Sequence, residues 1–353
     1  MKLKYYKNLD GIRGIAALMV VFFHFFLGVM PSSKLLTVIA KISLFGQTGV
    51  TLFFVLSGFL ITRILLTTRS EKGFFKNFYL RRILRIFPLY YFFLILSYYI
   101  FPYIFSSSIP DFYSQLYFYL YLQNFAVTFN WPAVGPGHFW SLAVEEHFYL
   151  FWPFVVFFLN SKKIILAIFG IIIIALFFRI ILLHNGYSTF YFTFTRFDSL
   201  AIGALLAFLE KKNYFKKENV YIFMIFIICS IIPNLLFWIL FSGQGNFYIQ
   251  VFKDLFISFF YFSIIGYVLS IKEKHFLNKI LESYFFNYTG KISYGIYVYH
   301  VLAYGLIFDF FQSNYLIVNL FNSIALTYII SSISFYLIES KFLKLKKYFE
   351  YNI

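Results

Sequence analysis

Apolar stretches long enough to cross a bilayer recur along the whole chain, separated by short polar connections that are mostly basic. A transmembrane helix needs roughly 20 mostly apolar residues. Ten segments meet that description, at about 11–30, 47–66, 85–105, 140–159, 164–183, 196–210, 220–241, 251–270, 292–311 and 316–338. The sixth is the shortest. Segment 111–130, DFYSQLYFYLYLQNFAVTFN, is aromatic but dotted with polar residues. It is expected at the interface or as a re-entrant piece, because aromatic side chains with a polar tip favour the headgroup region. No internal repeat stands out. The pattern predicts an all-α integral membrane protein of about ten transmembrane helices. One transmembrane domain would cover 1–340 and a short basic tail 341–353, with no fused soluble domain.

Composition agrees: 61% of the 353 residues are hydrophobic and 12% are charged, about half the charged share of an average soluble domain. A net charge of +16 in a soluble protein would suggest nucleic acid, but here position decides. All but five of the 30 Lys and Arg lie within 2–13, 63–85, 162–163, 211–217, 272–291 and 341–347. These are both termini and every second connection. The exceptions are Lys34, Lys41, Arg179, Arg196 and Lys253. Basic residues concentrate in cytoplasmic loops, so an even number of spans with both termini cytoplasmic fits. The basic excess is then topology, and no nucleic-acid signal stands above it. The N-terminal KLKYYK before an apolar run looks like a leader. However, the run contains Arg13 and His24 and ends in MPSSK without a small-x-small cleavage site, so a retained first span is expected. Cys229 is the single cysteine; it cannot form an internal disulfide and behaves as a small hydrophobe.

Ionisable residues inside spans are costly and point to function. In LDGIRGIAALMVVFFHF, Arg13 and His24 are eleven residues apart. That spacing puts them about 20° apart on one helix face and about 16 Å apart along the axis. Arg13 falls at the cytoplasmic edge and His24 in the outer half; a snorkelling anchor and an interhelical hydrogen bond are the plain alternatives. The fourth span opens GHFWSLAVEEHFYLFWP and enters from outside, bringing Glu145 to the depth of His24. A carboxylate on one imidazole nitrogen fixes the tautomer and raises the basicity of the other. Periodicity alone does not choose between Glu145 and Glu146, and a buried acid paired with an arginine, for which Arg196 is available, is the plain alternative. In FYLRRILRIFPLYY, Arg82 and Arg85 share a face beside Arg81, with Pro88 expected to bend the helix. Guanidinium forks match phosphates, although positive-inside anchoring would give the same pattern. Arg196 and Asp198 open a helix, where a local pair or cap is expected as readily as function; His300 falls in mid-span; Ser57-Gly58 permits close packing or a bend. There is no HExxH, Cys cluster or His pair at ligand spacing, and no Walker loop or GxSxG, so metal is not expected.

Six stretches together carry a resemblance: LDGIRGIAALMVVFFHF, GVTLFFVLSGFLITR, RRILRIFP, WSLAVEEHFYLFWP, RFDSLAIGALLA and GKISYGIYVYH. In that order, over nearly the whole chain, they resemble the acyltransferase-3 family of bacterial membrane acyltransferases. The resemblance implies an acyl-CoA co-substrate, usually acetyl-CoA, on the cytoplasmic side, no permanently bound cofactor, and a hydroxyl of a cell-envelope glycan as acceptor. It implies residence in the bacterial cytoplasmic (inner) membrane. The family's Arg-x10-His falls on Arg13 and His24, its Arg-x-x-Arg on Arg82 and Arg85, and its SLxxExxFY on Ser141, Leu142, Glu145, Phe148 and Tyr149. That selects Glu145 over Glu146. Many relatives carry a fused extracytoplasmic hydrolase-like domain; without one, direct transfer or hand-off to a separate extracytoplasmic partner is implied.

The expected mechanism places the phosphates of the donor on Arg13, Arg82 and Arg85, with its arm along the first helix. His24 acts as general base or acyl carrier, oriented by Glu145. The supporting candidates are Asp10, Ser141, Tyr149, Arg196, Asp198 and His300. The aromatic loop 106–139 is the expected acceptor wall. A flippase for lipid-linked glycans is the rival class, but no paired halves with broken helices are found. A different acyltransferase fold using His and Asn would need more than Asn124 and Asn130, which sit near the interface without a matching motif.

Overall fold

The computed structural model describes residues 4–27, 29, 33–240 and 246–350. Lys2, residues 30–32 within MPSSK, the last residue of the expected span 220–241 and the end of the basic tail at 351–353 lie outside the described residues. Ten helices of 18 residues or more appear there, and no strand. They are α1 Lys7–Phe26, α2 Gly49–Thr68, α3 Phe74–Tyr99, α4 Trp140–Phe158, α5 Ser161–His184, α6 Thr193–Lys211, α7 Val220–Leu240, α8 Phe247–Ser270, α9 Ser293–Phe310 and α10 Leu316–Ser334.

Six candidate spans among the described residues are long and apolar enough to cross a membrane; they contain α1, α2, α5, most of α7, α8 and α10. The protein is a multi-pass membrane protein. The four long helices that fall short of that apolarity carry the polar motifs: α3 holds Arg81, Arg82 and Arg85; α4 holds Glu145, Glu146 and His147; α6 holds Arg196 and Asp198; α9 holds His300 among tyrosines. The strongly apolar α5, α7 and α10 are largely exposed. Apolar helices surround polar ones because lipid tails are as apolar as leucine, so nothing but packing draws an apolar face inward.

The largest departure from the sequence expectation is α3. It starts at Phe74 rather than near 85, and Pro88 lies within it without ending it. Hydropathy rises only near 85, but lysine, arginine and leucine are good helix formers, so the helix begins earlier and the arginines sit inside it. Segment 106–139 also folds, into short helices Phe112–Tyr119 and Gln123–Phe129. It is tied down by bonds from Tyr90 OH to Phe118 O (2.7 Å) and from Tyr98 OH to Val134 O (2.9 Å).

Where α2 crosses α6, Gly58 lies against the backbone of Leu200 and Gly203 against that of Val55. A Cβ at either position would strike a carbonyl oxygen, so the glycines set the spacing. Close approach of α6 buries its charges. Arg179 of α5 pairs with Asp198 at 2.6 Å, and Arg196 pairs with Asp254 of α8 at 2.7 Å and donates to Thr51 Oγ1 of α2 at 2.7 Å. The expected local Arg196–Asp198 pair is therefore replaced by two interhelical pairs, and Arg196 does not serve Glu145 or Glu146. Side chains two apart on a helix diverge by about 200° and cannot share a partner.

Candidate active site

On α4, Ser141, Glu145 and Tyr149 are spaced four apart and project from one face. They meet Arg82 and Arg85 of α3, Arg13 of α1, Ser57 of α2 and Tyr297 of α9 around a cavity of about 100 Å³. A second cavity, of about 320 Å³, is lined by Lys4, Arg63, Arg81 and Lys346 and again by Arg13, Arg82 and Arg85. The three arginines named from the sequence thus form the wall common to both cavities.

These cations are not equivalent. Arg13 is held by Asp10 at 2.8 Å, and Asp10 also accepts from Tyr5 OH. Arg63 is paired with Glu210 at 2.5 Å. Arg81 donates to Lys346 O (3.2 Å) and Phe349 O (3.3 Å), fastening the C-terminal segment Leu345–Phe349 across the start of α3. Arg82 lies 5.1 Å over the Tyr149 ring. Among the described residues, no carboxylate lies within ion-pair distance of Arg82 or Arg85. Half-buried guanidinium forks at a cavity wall, with no carboxylate in ion-pair distance among the described residues, suit an anion.

In the smaller cavity, Glu145 accepts from Ser57 Oγ at 2.8 Å and from Tyr149 OH at 3.0 Å. Ser141 Oγ is 2.5 Å from Tyr297 OH, which donates to the backbone oxygen of His138. Glu146 does not line the cavity, and its Oε1 has no partner among the described residues; His147 Nδ1 lies 2.8 Å from Thr193 Oγ1.

His24 lines neither cavity. It belongs to a cluster with His300 and His138, whose ring centroids lie 4.8 Å and 6.3 Å from its own. His24 Nδ1 is 3.1 Å from both Val20 O and His300 Nε2. His138 and His300 are buried, while His24 is only partly buried. Tyr297 belongs to both regions: it lines the smaller cavity and packs its ring against His138 and His300 at 5.5 Å and 5.9 Å. Among the described residues, no group of three or more His, Cys, Asp or Glu is arranged to hold a metal ion.

The structure brings Arg13, Arg82, Arg85, Ser141, Glu145 and Tyr149 to one cavity. It puts Asp10 beside Arg13 and His300 beside His24, and leaves Arg196 and Asp198 in the buried pairs. The expected orientation of His24 by Glu145 does not form. Two hydroxyls take up the carboxylate and His300 takes up the imidazole, because equal depth does not imply adjacent helix faces. Sequence reasoning missed Ser57 as the partner of Glu145 and Tyr297 as the link to the histidines. The Tyr-x-x-His spacing of Tyr297 and His300 was a readable signal, since residues three apart share a face.

The model of the acyltransferase-3 family, described as an acyltransferase domain, matches residues 6–338. The chain is 30% identical over 325 residues to the O-acetyltransferase OatA of Staphylococcus aureus (strain NCTC 8325 / PS 47), covering 84% of this chain and 50% of that protein. It is 29% identical over 374 residues to a Staphylococcus aureus (strain COL) protein whose O-acetyltransferase name is provisional, covering 97% of this chain and 58% of that protein. The chain thus spans about half the length of the curated relatives it matches. No solved structure matches it.

Proposed function

The chain belongs to the acyltransferase-3 family, and from that premise we propose that it is an O-acyltransferase of the bacterial cytoplasmic membrane. It moves an acyl group, foremost acetyl, from cytoplasmic acyl-CoA to a hydroxyl of a cell-envelope polysaccharide or glycolipid. The observation that carries this reading is the pair of cavities sharing Arg13, Arg82 and Arg85, with no carboxylate among the described residues in ion-pair distance of Arg82 or Arg85.

Coenzyme A is a phosphate-rich head on a thin arm that ends in a thioester. The larger, strongly basic cavity suits the head, and the unpaired forks of Arg82 and Arg85 suit its phosphates. The smaller cavity, running from the arginines to Ser57, Glu145, Ser141 and Tyr297, suits the arm and thioester. Glu145, held by two hydroxyls, fixes the polar end of that passage. The acceptor comes from the other side of the membrane, towards the partly buried His24. His24 takes the proton of the acceptor hydroxyl while its oxygen bonds to the acyl carbon. The carbon–sulfur bond breaks, and the proton passes to the departing thiolate. If the imidazole attacks first, the acyl group rests on His24 before the hydroxyl takes it. A separate extracytoplasmic partner would receive or present the glycan.

The test is turnover by purified protein with acetyl-CoA and a glycan acceptor, following free thiol and acylated product. The expected result is acceptor-dependent thiol release that His24→Ala abolishes. Full turnover by His24→Ala would remove His24 from the chemistry. Thioester left intact while glycan crosses the bilayer would instead identify a flippase.

A further inference from the structure

The chemistry at His24 depends on which ring nitrogen holds the lone pair, and the surroundings of His300 decide it. His300 is fully buried, and its Nδ1 faces two backbone oxygens, Tyr297 O at 2.7 Å and Ile296 O at 3.2 Å. Carbonyl oxygens only accept, so His300 Nδ1 carries the hydrogen and Nε2 of the neutral ring keeps its lone pair. That lone pair points at His24 Nδ1, 3.1 Å away. Val20 O, at the same distance, is also an acceptor. With acceptors on both contacts, His24 Nδ1 is the N–H, and Nε2 of His24 is the free base.

We infer that His300 is a positioning residue for the transfer reaction: by accepting from His24 Nδ1 it fixes the tautomer and ring plane that leave His24 Nε2 as the reacting nitrogen. The inference rests on the reading of His24 as base or acyl carrier. It gives His300 the part that a carboxylate plays behind other basic imidazoles. Here the acceptor is neutral, so the pair carries no charge until His24 Nε2 takes the proton. The positive charge then formed is shared with a lone pair already in place. Tyr297 O locks His300 in turn, and the OH of the same tyrosine bonds Ser141 at the cavity wall. One residue therefore ties the ring orientation to the state of the donor cavity.

The experiment compares His300→Gln, His300→Phe and His24→Ala in detergent-purified protein, with kcat and KM for acetyl-CoA and a thermal melt for each. A glutamine amide oxygen reaches the position of His Nε2 and can still accept; a phenyl ring fills the space and cannot. Losing the partner that orients a metal-ligating histidine costs about tenfold to hundredfold, and the same scale is taken for a partner that orients a reacting one. His300→Phe should therefore lose at least about tenfold in kcat, and His300→Gln should stay within about threefold of wild type. The KM for acetyl-CoA should hold in both, because His300 lines neither cavity. If the Phe protein does not fold, His300→Asn replaces it, since its shorter amide cannot reach His24. A Phe or Asn protein with wild-type kcat, or a Gln protein as impaired as they are, overturns the inference. With His24→Ala inactive, that failure touches His300 alone; a fully active His24→Ala overturns both readings.

Discussion

Removing the forks that face the donor cavities should weaken donor binding without stopping chemistry. Arg82 and Arg85 are half-buried and have no carboxylate partner among the described residues. A bound phosphate would then not have to compete with an existing ion pair. A hydrogen bond to a charged group contributes about 1.5–3 kcal/mol. At about 1.4 kcal/mol per factor of ten, Arg82→Ala or Arg85→Ala should raise the KM for acetyl-CoA roughly 10- to 100-fold, with kcat nearly unchanged. The two share one ligand, so the double variant should lose less than the product of the singles. Arg82→Lys should fall between, because an ammonium keeps the charge but neither the fork nor the stacking over Tyr149. Arg13→Ala should cost less than either, since Asp10 already holds Arg13 at 2.8 Å. The assay is thiol release against acetyl-CoA concentration at low salt, where charge attraction is least screened. A double variant whose KM stays within about twofold of wild type, against the tenfold expected from one lost contact, would refute the phosphate assignment.

Two further variants test the frame that holds the site. Gly203→Ala forces a methyl group against the Val55 carbonyl; overpacking of this kind costs about 1–3 kcal/mol, so the melting temperature should fall, and an unchanged melt would show that α2 and α6 are not packed as described. Arg179→Ala leaves Asp198 buried without its partner and should destabilise by about 3–5 kcal/mol, seen as loss of folded protein on size exclusion; joint replacement of both by apolar residues should recover most of the loss, and failure to recover would point to a role beyond packing.

The order and approximate limits of the long helices were legible in the sequence. Burial of apolar residues in lipid depends on local composition, which one chain displays directly. The shared face of Ser141, Glu145 and Tyr149 and that of Arg82 and Arg85 were legible for the same reason, since helical spacing is a local property. Sequence also places a residue along the membrane normal: charge asymmetry sets the direction of each span, and rise per residue sets the depth. It does not set the rotation of a helix about its axis, or which helices become neighbours. Those depend on contacts between segments far apart in the chain, such as Gly58 against Leu200 and Gly203 against Val55. Depth alone joins His24 to Glu145, and nearness in the chain joins Arg196 to Asp198. Packing turned Glu145 to Ser57, Arg196 to Asp254 and Asp198 to Arg179, and brought His300, 276 positions away in the chain, to His24. Inside a bundle a polar group must take whichever partner its helix neighbours offer, because there is no water to take instead.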